Sequence, residues 1–129
     1  MSLFVPAELK YSKEHEWVKA DGKTATVGIT HHAQDQLGDV VYVDLPAVGK
    51  EFAAMQEFGV VESVKSVSSL YCPVGGKVVE VNTALNDKPQ LVNDGPYAEG
   101  WMIKLEVKIP AELSSLLTAE EYKKLIEKK

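Results

Sequence analysis

Arginine is missing altogether: all fourteen basic residues in this chain of 129 are lysines. The planar fork that grips a phosphate or carboxylate at two points is therefore not available. With a formal net charge of −5, the chain has no cationic surplus to attract nucleic acid or an anionic membrane, and neither is expected as a partner. Cysteine occurs once, as Cys72. No internal disulfide can form, so the fold does not need an oxidising compartment. No apolar run approaches bilayer length. The opening MSLFVPAELKYSKEHEW lacks both the basic and the long apolar parts of a signal peptide, which points to the cytoplasm.

Catalytic patterns are scarce too. Gly75-Gly76 is a lone pair leading into a strand, not a phosphate loop. His31 and His32 are neighbours, set about 100° apart on a helix, and their i+4 partners Asp35 and Gln36 complete no metal-ligand set. Cys72 is followed by Pro73 and belongs to no recognisable nucleophile motif; a small core residue is the simpler reading. A Ser–Lys dyad around Lys65 would require a buried, deprotonated lysine. Nothing here reads as an enzyme.

What is present is strand after strand. The length fits one domain with a modest core, and 45% of the residues are hydrophobic. Leu9–Tyr11 and Glu16–Val18 read as short strands. Ala20-Asp21-Gly22-Lys23 reads as a turn, and Thr24–Ile29 as the returning arm of a hairpin. Thr30 caps a short helix, His31–Leu37, which Gly38 stops. Gly38–Gly49 predicts a strand with Val41, Val43 and Leu45 on one face. Its pattern returns in Gly76–Asp87, which suggests a small sandwich with approximate two-fold symmetry. Asn, Asp, Gly and Pro mark turns at 86–89 and 93–96. Gly100–Val107 predicts a last strand with Trp101, Ile103, Leu105 and Val107 on one side. Pro110 opens a short helix through Leu116 or Leu117. Thr118 and Glu121 form a capping box, with Leu117 and Tyr122 as its staple, for a final helix Ala119–Lys128 striped by Tyr122, Leu125 and Ile126.

The central stretch is Phe58–Asn82. Two apolar runs, Gly59–Val61 and Leu70–Val74, flank a polar segment with Lys65 near its middle and Ser63, Ser66, Ser68 and Ser69 around it. Two strands meeting at a turn would present Lys65 at the tip. A solvated turn lysine meets this spacing as well. The same geometry serves a swinging-arm carrier, in which a lipoyl group on the lysine would reach on the order of 15 Å.

Four segments carry a specific resemblance: YSKEHEWV at 11–18, VGITHHAQDQLGDVVYVDLP at 27–46, FGVVESVKS at 58–66 and LVNDGPYAEGWM at 91–102. In these the chain resembles the H proteins of the glycine cleavage system, from about residue 8 to residue 108. The resemblance implies a mainly β fold, a lipoyl/biotinyl-domain-like barrel-sandwich hybrid with a short helix after the first hairpin and C-terminal helices. It implies one lipoyl-binding domain over 1–129, with N- and C-terminal extensions packed on it. Lipoate would be joined by an amide to Lys65, with Glu62 and Ser63 recognised by a lipoate ligase or a lipoyl/octanoyl transferase. The carrier would be a monomer, itself non-catalytic. Its partners would be a glycine decarboxylase that transfers the aminomethyl group of glycine to the arm, an aminomethyltransferase that passes it on, and a dihydrolipoyl dehydrogenase that reoxidises the dithiol. Glu16, Gln36 and Ser69 would line a cleft that shelters the loaded arm. The chain departs from common family choices at Gln36, Ser69, Cys72 and Gly75. A biotin carrier would place methionines where Val64 and Ser66 stand. An H-like adaptor or lipoyl relay acting outside glycine cleavage is the remaining alternative, and only its relay form needs Lys65 modified.

Overall fold

The computed structural model describes residues 5–127. Its first hairpin joins β1 (Lys10–Tyr11), β2 (Glu16–Asp21) and β3 (Thr24–Ile29), and α1 (His31–Leu37) follows directly. Strands β4 (Val40–Asp44), β5 (Glu51–Phe52), β6 (Glu57–Ser63), β7 (Val67–Tyr71) and β8 (Gly76–Val81) come next. Two single-turn helices, α2 (Ala84–Asp87) and α3 (Leu91–Asp94), lead to β9 (Ile103–Val107). Helices α4 (Ala111–Ser114) and α5 (Ala119–Glu127) end the described chain. The strands form two antiparallel sheets, a six-stranded one ordered β1-β2-β3-β9-β8-β5 and a three-stranded one ordered β4-β6-β7. Val27, Ile103 and Leu105 of the first sheet and Val43, Val61 and Leu70 of the second share one core. Apolar residues at alternate positions put one face of each sheet inside.

Several local expectations need correction. β2 continues to Asp21, which pairs with Thr24, so the bend is made by Gly22-Lys23 and not by the longer Ala20–Lys23 turn. Val41 does not share an inner face with Val43: Val40 and Val43 are buried, whereas Val41 is 51% exposed. A bulge between Val40 and Tyr42 shifts the alternation by one residue, as an extra residue in one strand must. The last strand starts at Ile103, not Gly100. The side-chain amide of Asn82 donates to the carbonyls of Glu99 and Trp101. This holds Trp101 outside the ladder, where it packs in a second cluster with Tyr97. The paired segments Gly38–Gly49 and Gly76–Asp87 fall in different sheets, β4 at an edge and β8 between β9 and β5.

The end of the chain follows its capping signals. Thr118 N–H donates to Glu121 Oε1 at 2.9 Å and Glu121 N–H to Thr118 Oγ1 at 3.2 Å, the reciprocal bonds of a capping box. Tyr11 and Leu117 exchange backbone hydrogen bonds, which ties this segment to β1. Tyr122 is fully buried and stacks on Tyr11 with ring centroids 4.8 Å apart. Lys128, expected in the last helix, lies outside the described residues.

The small sheet that carries Lys65 depends on a close backbone approach. A Cβ on Gly59 would run into the carbonyl oxygen of Asp44. Gly59→Ala therefore pries β4 from β6, and urea unfolding should show a loss of about 1–3 kcal/mol.

Candidate functional site

Lys65 stands in the connection Val64-Lys65-Ser66 between β6 and β7, and all three residues are exposed. The bend is built around Ser63, which is itself buried. Its Oγ accepts from the backbone N–H of Lys65 at 3.3 Å and of Ser66 at 3.1 Å. Its own N–H donates to the Ser66 carbonyl at 2.8 Å. A short hydroxyl side chain can close such a turn because it bonds neighbouring backbone without leaving its own strand. Val64 N–H donates to the Asp39 carbonyl, anchoring the turn to the segment before β4.

Below the lysine lies Gly38, the C-cap of α1, at φ +83°. The left-handed backbone there favours glycine. A Cβ there would meet only the flexible end of Lys65, 3.4 Å away at Cε, so it is the backbone conformation that calls for glycine. Asn93 clamps this junction, donating from Nδ2 to the Gly38 carbonyl and accepting at Oδ1 from Val40 N–H, both at 2.8 Å. The sequence marked Asn93 only as a turn residue. Its hydrophilic side chain beside an Asp-Gly-Pro turn hides the long-range role.

Beside the turn runs a cleft of about 500 Å³. Glu16, Gln36 and Ser69, which the resemblance grouped as cleft residues, all line it. So do Ser66, Val67, Ser68 and Leu70 from the lysine hairpin, His32 and Ala33 from α1, and Leu125 and Ile126 from α5. Gln36 is exposed at the rim, whereas Glu16 is only 1% exposed. Ser12 Oγ donates to Glu16 Oε1 at 2.6 Å, and Tyr71 N–H donates to Oε2 at 3.2 Å. Burial raises this carboxyl to about 7, against the lowering influence of those two bonds. Burial, and secondarily the nearby Glu16, likewise pushes the Cys72 thiol up to about 12, so Cys72 is a core residue and a poor nucleophile.

His15 contributes from the other side. At φ +70° it occupies a conformation unusual for a residue with a Cβ. Its ring packs 4.9 Å from that of His32, and its Nδ1 lies 2.8 Å from the Tyr122 hydroxyl. Sequence reading did not bring Ser12, His15, His32 and the apolar pair on α5 to this site. The signal for His15 was its place beside Glu16 and Trp17. The α5 pair was visible as a stripe, but not where the stripe would pack.

Two packed antiparallel sheets with a lysine on a hairpin turn, beside a cleft with both polar and apolar walls, define a protein of the lipoyl-domain class. The family model for the glycine cleavage H-protein matches residues 9–129. The glycine cleavage system H protein of Symbiobacterium thermophilum is 63% identical over 118 residues, 92% of this chain and 92% of its own. That of Staphylococcus haemolyticus is 56% identical over 122 residues, 95% of this chain and 97% of its own. The crystal structure of a glycine cleavage system H protein from Mycobacterium marinum superposes with a TM-score of 0.81 at 40% identity, covering 92% of this chain and 95% of that one. The chain belongs to the glycine cleavage H-protein family, the lipoyl carriers of that system.

The raised carboxyl makes a pH prediction. Between the unfolded value of 4.5 and the folded value of about 7, the native state holds a proton that the unfolded chain has lost. Stability therefore falls as pH rises through that window, by on the order of 3 kcal/mol in all, and levels off above it. Urea unfolding from pH 4.5 to 8 should show this fall in the parent protein and its absence in Glu16→Gln.

Proposed function

We propose that this chain is a non-catalytic carrier whose lipoyl group is joined by an amide to Lys65 Nζ. The observation that carries the reading is the setting of Lys65: exposed on a serine-closed turn, over a glycine, at the edge of a cleft of about 500 Å³. The cleft volume lies within the range that encloses small organic groups. Its mixed walls suit an aliphatic chain with a polar head. When bound, the lipoyl group supplies the disulfide that takes up the aminomethyl group of glycine and bears it from one enzyme to the next.

The chain's own residues present, receive and shield. Ser63 holds the turn so that the lysine amine projects from it. The attaching enzyme, a lipoate ligase or a lipoyl/octanoyl transferase, reads Glu62 directly and Ser63 through the shape of the turn, since the Ser63 side chain is buried. Glu16 stands at the dry inner end of the cleft, where an ionised carboxylate would accept charge-assisted hydrogen bonds from an amine. Gln36 and Ser69 line the sides and exclude water. The partners are the glycine decarboxylase, the aminomethyltransferase and the dihydrolipoyl dehydrogenase of the same system. We take residues 1–129 to act as one lipoyl-binding unit, with the segments at either end as its extensions, working as a monomer in the cytoplasm. Among the described residues no helix is long and apolar enough to cross a membrane.

Incubation with a lipoate ligase, lipoate and ATP should add one lipoyl mass, and peptide mapping should find it on Lys65. Lys65→Arg should stay unmodified, and glycine–CO2 exchange by the decarboxylase should drop to background with it. Exchange at the parent level with Lys65→Arg would overturn the carrier reading and leave a binding adaptor.

A further inference from the structure

The Tyr122 side chain of helix α5 touches two of the other elements that build the cleft. The Tyr122 hydroxyl lies 2.8 Å from His15 Nδ1 and 2.7 Å from Thr30 Oγ1. Thr30 is the N-cap of α1, accepting from Ala33 N–H at 3.1 Å. The carbonyl of His15 in turn accepts from Thr30 N–H at 3.0 Å. One buried hydroxyl thus meets the loop that carries His15, the start of the helix that carries His32, Ala33 and Gln36, and α5 itself. All three elements line the same cleft. From Tyr122, the i+3 and i+4 positions Leu125 and Ile126 lie along one helix face. Both are half-buried and line the cleft.

We infer that Tyr122 is a positioning residue for the carrier arm: its hydroxyl holds α5 against His15 and Thr30, so that Leu125 and Ile126 form an apolar outer wall over the docked arm. The inference rests on the reading that an arm on Lys65 enters this cleft. It adds a wall supplied by the far end of the chain, which neither Lys65 nor Glu16 can provide. The phenol suits the task. Burial holds its ionisation well above the usual tyrosine range, so the hydroxyl keeps its proton and its capacity to donate. The ring has a separate job, stacking on Tyr11 in the second apolar cluster. Removing the hydroxyl alone therefore tests the wall while leaving the ring's packing in place.

The test uses Tyr122→Phe and, independently, the double variant Leu125→Ser/Ile126→Ser in the full chain. On the unmodified proteins, hydrogen exchange at 30–37 and 119–126 should quicken in Tyr122→Phe by about five-fold, the population change that loss of one net hydrogen bond produces. The strands of the small sheet should exchange as in the parent. On proteins lipoylated at Lys65 and loaded from glycine with the decarboxylase, the partner enzyme is then removed. The loaded arm should lose ammonia several-fold faster in both variants, while the rate of lipoylation stays at the parent value. Unchanged exchange in Tyr122→Phe, or an unchanged loaded lifetime in both variants, overturns the inference. If Lys65 accepts no lipoyl group at all, the functional reading fails, and exchange on the unmodified protein still decides whether Tyr122 holds the wall.

Discussion

Glu16 belongs to β2 of the large sheet, and the backbone N–H it accepts belongs to Tyr71 on β7 of the small one. β7 is an edge strand, and an edge strand presents unpaired backbone groups that must find a partner or face water. The carboxylate meets one of them, while Ser12 satisfies its other oxygen. A single buried acid thereby joins the two sheets at the floor of the cleft. The arrangement opposes burial with hydrogen bonding, and burial wins, which is why the carboxyl titrates near neutrality. A group in that position stabilises less when ionised than when protonated. It nevertheless places a buried acid at the cleft beside the lysine hairpin.

The two ends of the cleft are built by different means. At the lysine, the bend itself is closed by short-range bonds from Ser63 to its own neighbours, and one longer bond, from Val64 to the Asp39 carbonyl, anchors it. Such a turn keeps the backbone rigid while the long side chain remains free in water. At the opposite side, order comes from Tyr122, whose ring and hydroxyl serve different neighbours. A carrier needs both properties, a free tether and a firm recess. On the proposed reading, the tether belongs to the Lys65 turn and the recess to contacts between distant segments.

Much of the architecture was legible because it is written in near-neighbour patterns. The hairpin 16–29, the capped helix at 31–37, the capping box at 118–121 and the lysine turn all involve residues a few positions apart. The misreadings share one cause. Val41 looked inward by strict alternation, but the bulge beside it answers to the pairing of β4 with β6. Trp101 looked like part of a strand, but the side chain of Asn82, just past the end of β8, bonds its carbonyl. The cleft residues Glu16, Gln36 and Ser69 were grouped through family likeness, not through any feature of their spacing.

The sequence by itself determined that the chain is a small, acidic, strand-rich protein with a lysine displayed among serines, because composition, alternation and turn chemistry are local properties. It also carried four segments specific enough to identify the family. Only the tertiary structure decided what the lysine faces. His15 meets Tyr122 across 107 positions, Thr30 meets it across 92, and Glu16 meets Tyr71 across 55. No local propensity encodes such meetings. They follow from burying the apolar faces of two sheets and an end helix together, and that burial brings an ordinary glutamate and a pair of aliphatic side chains to line one recess.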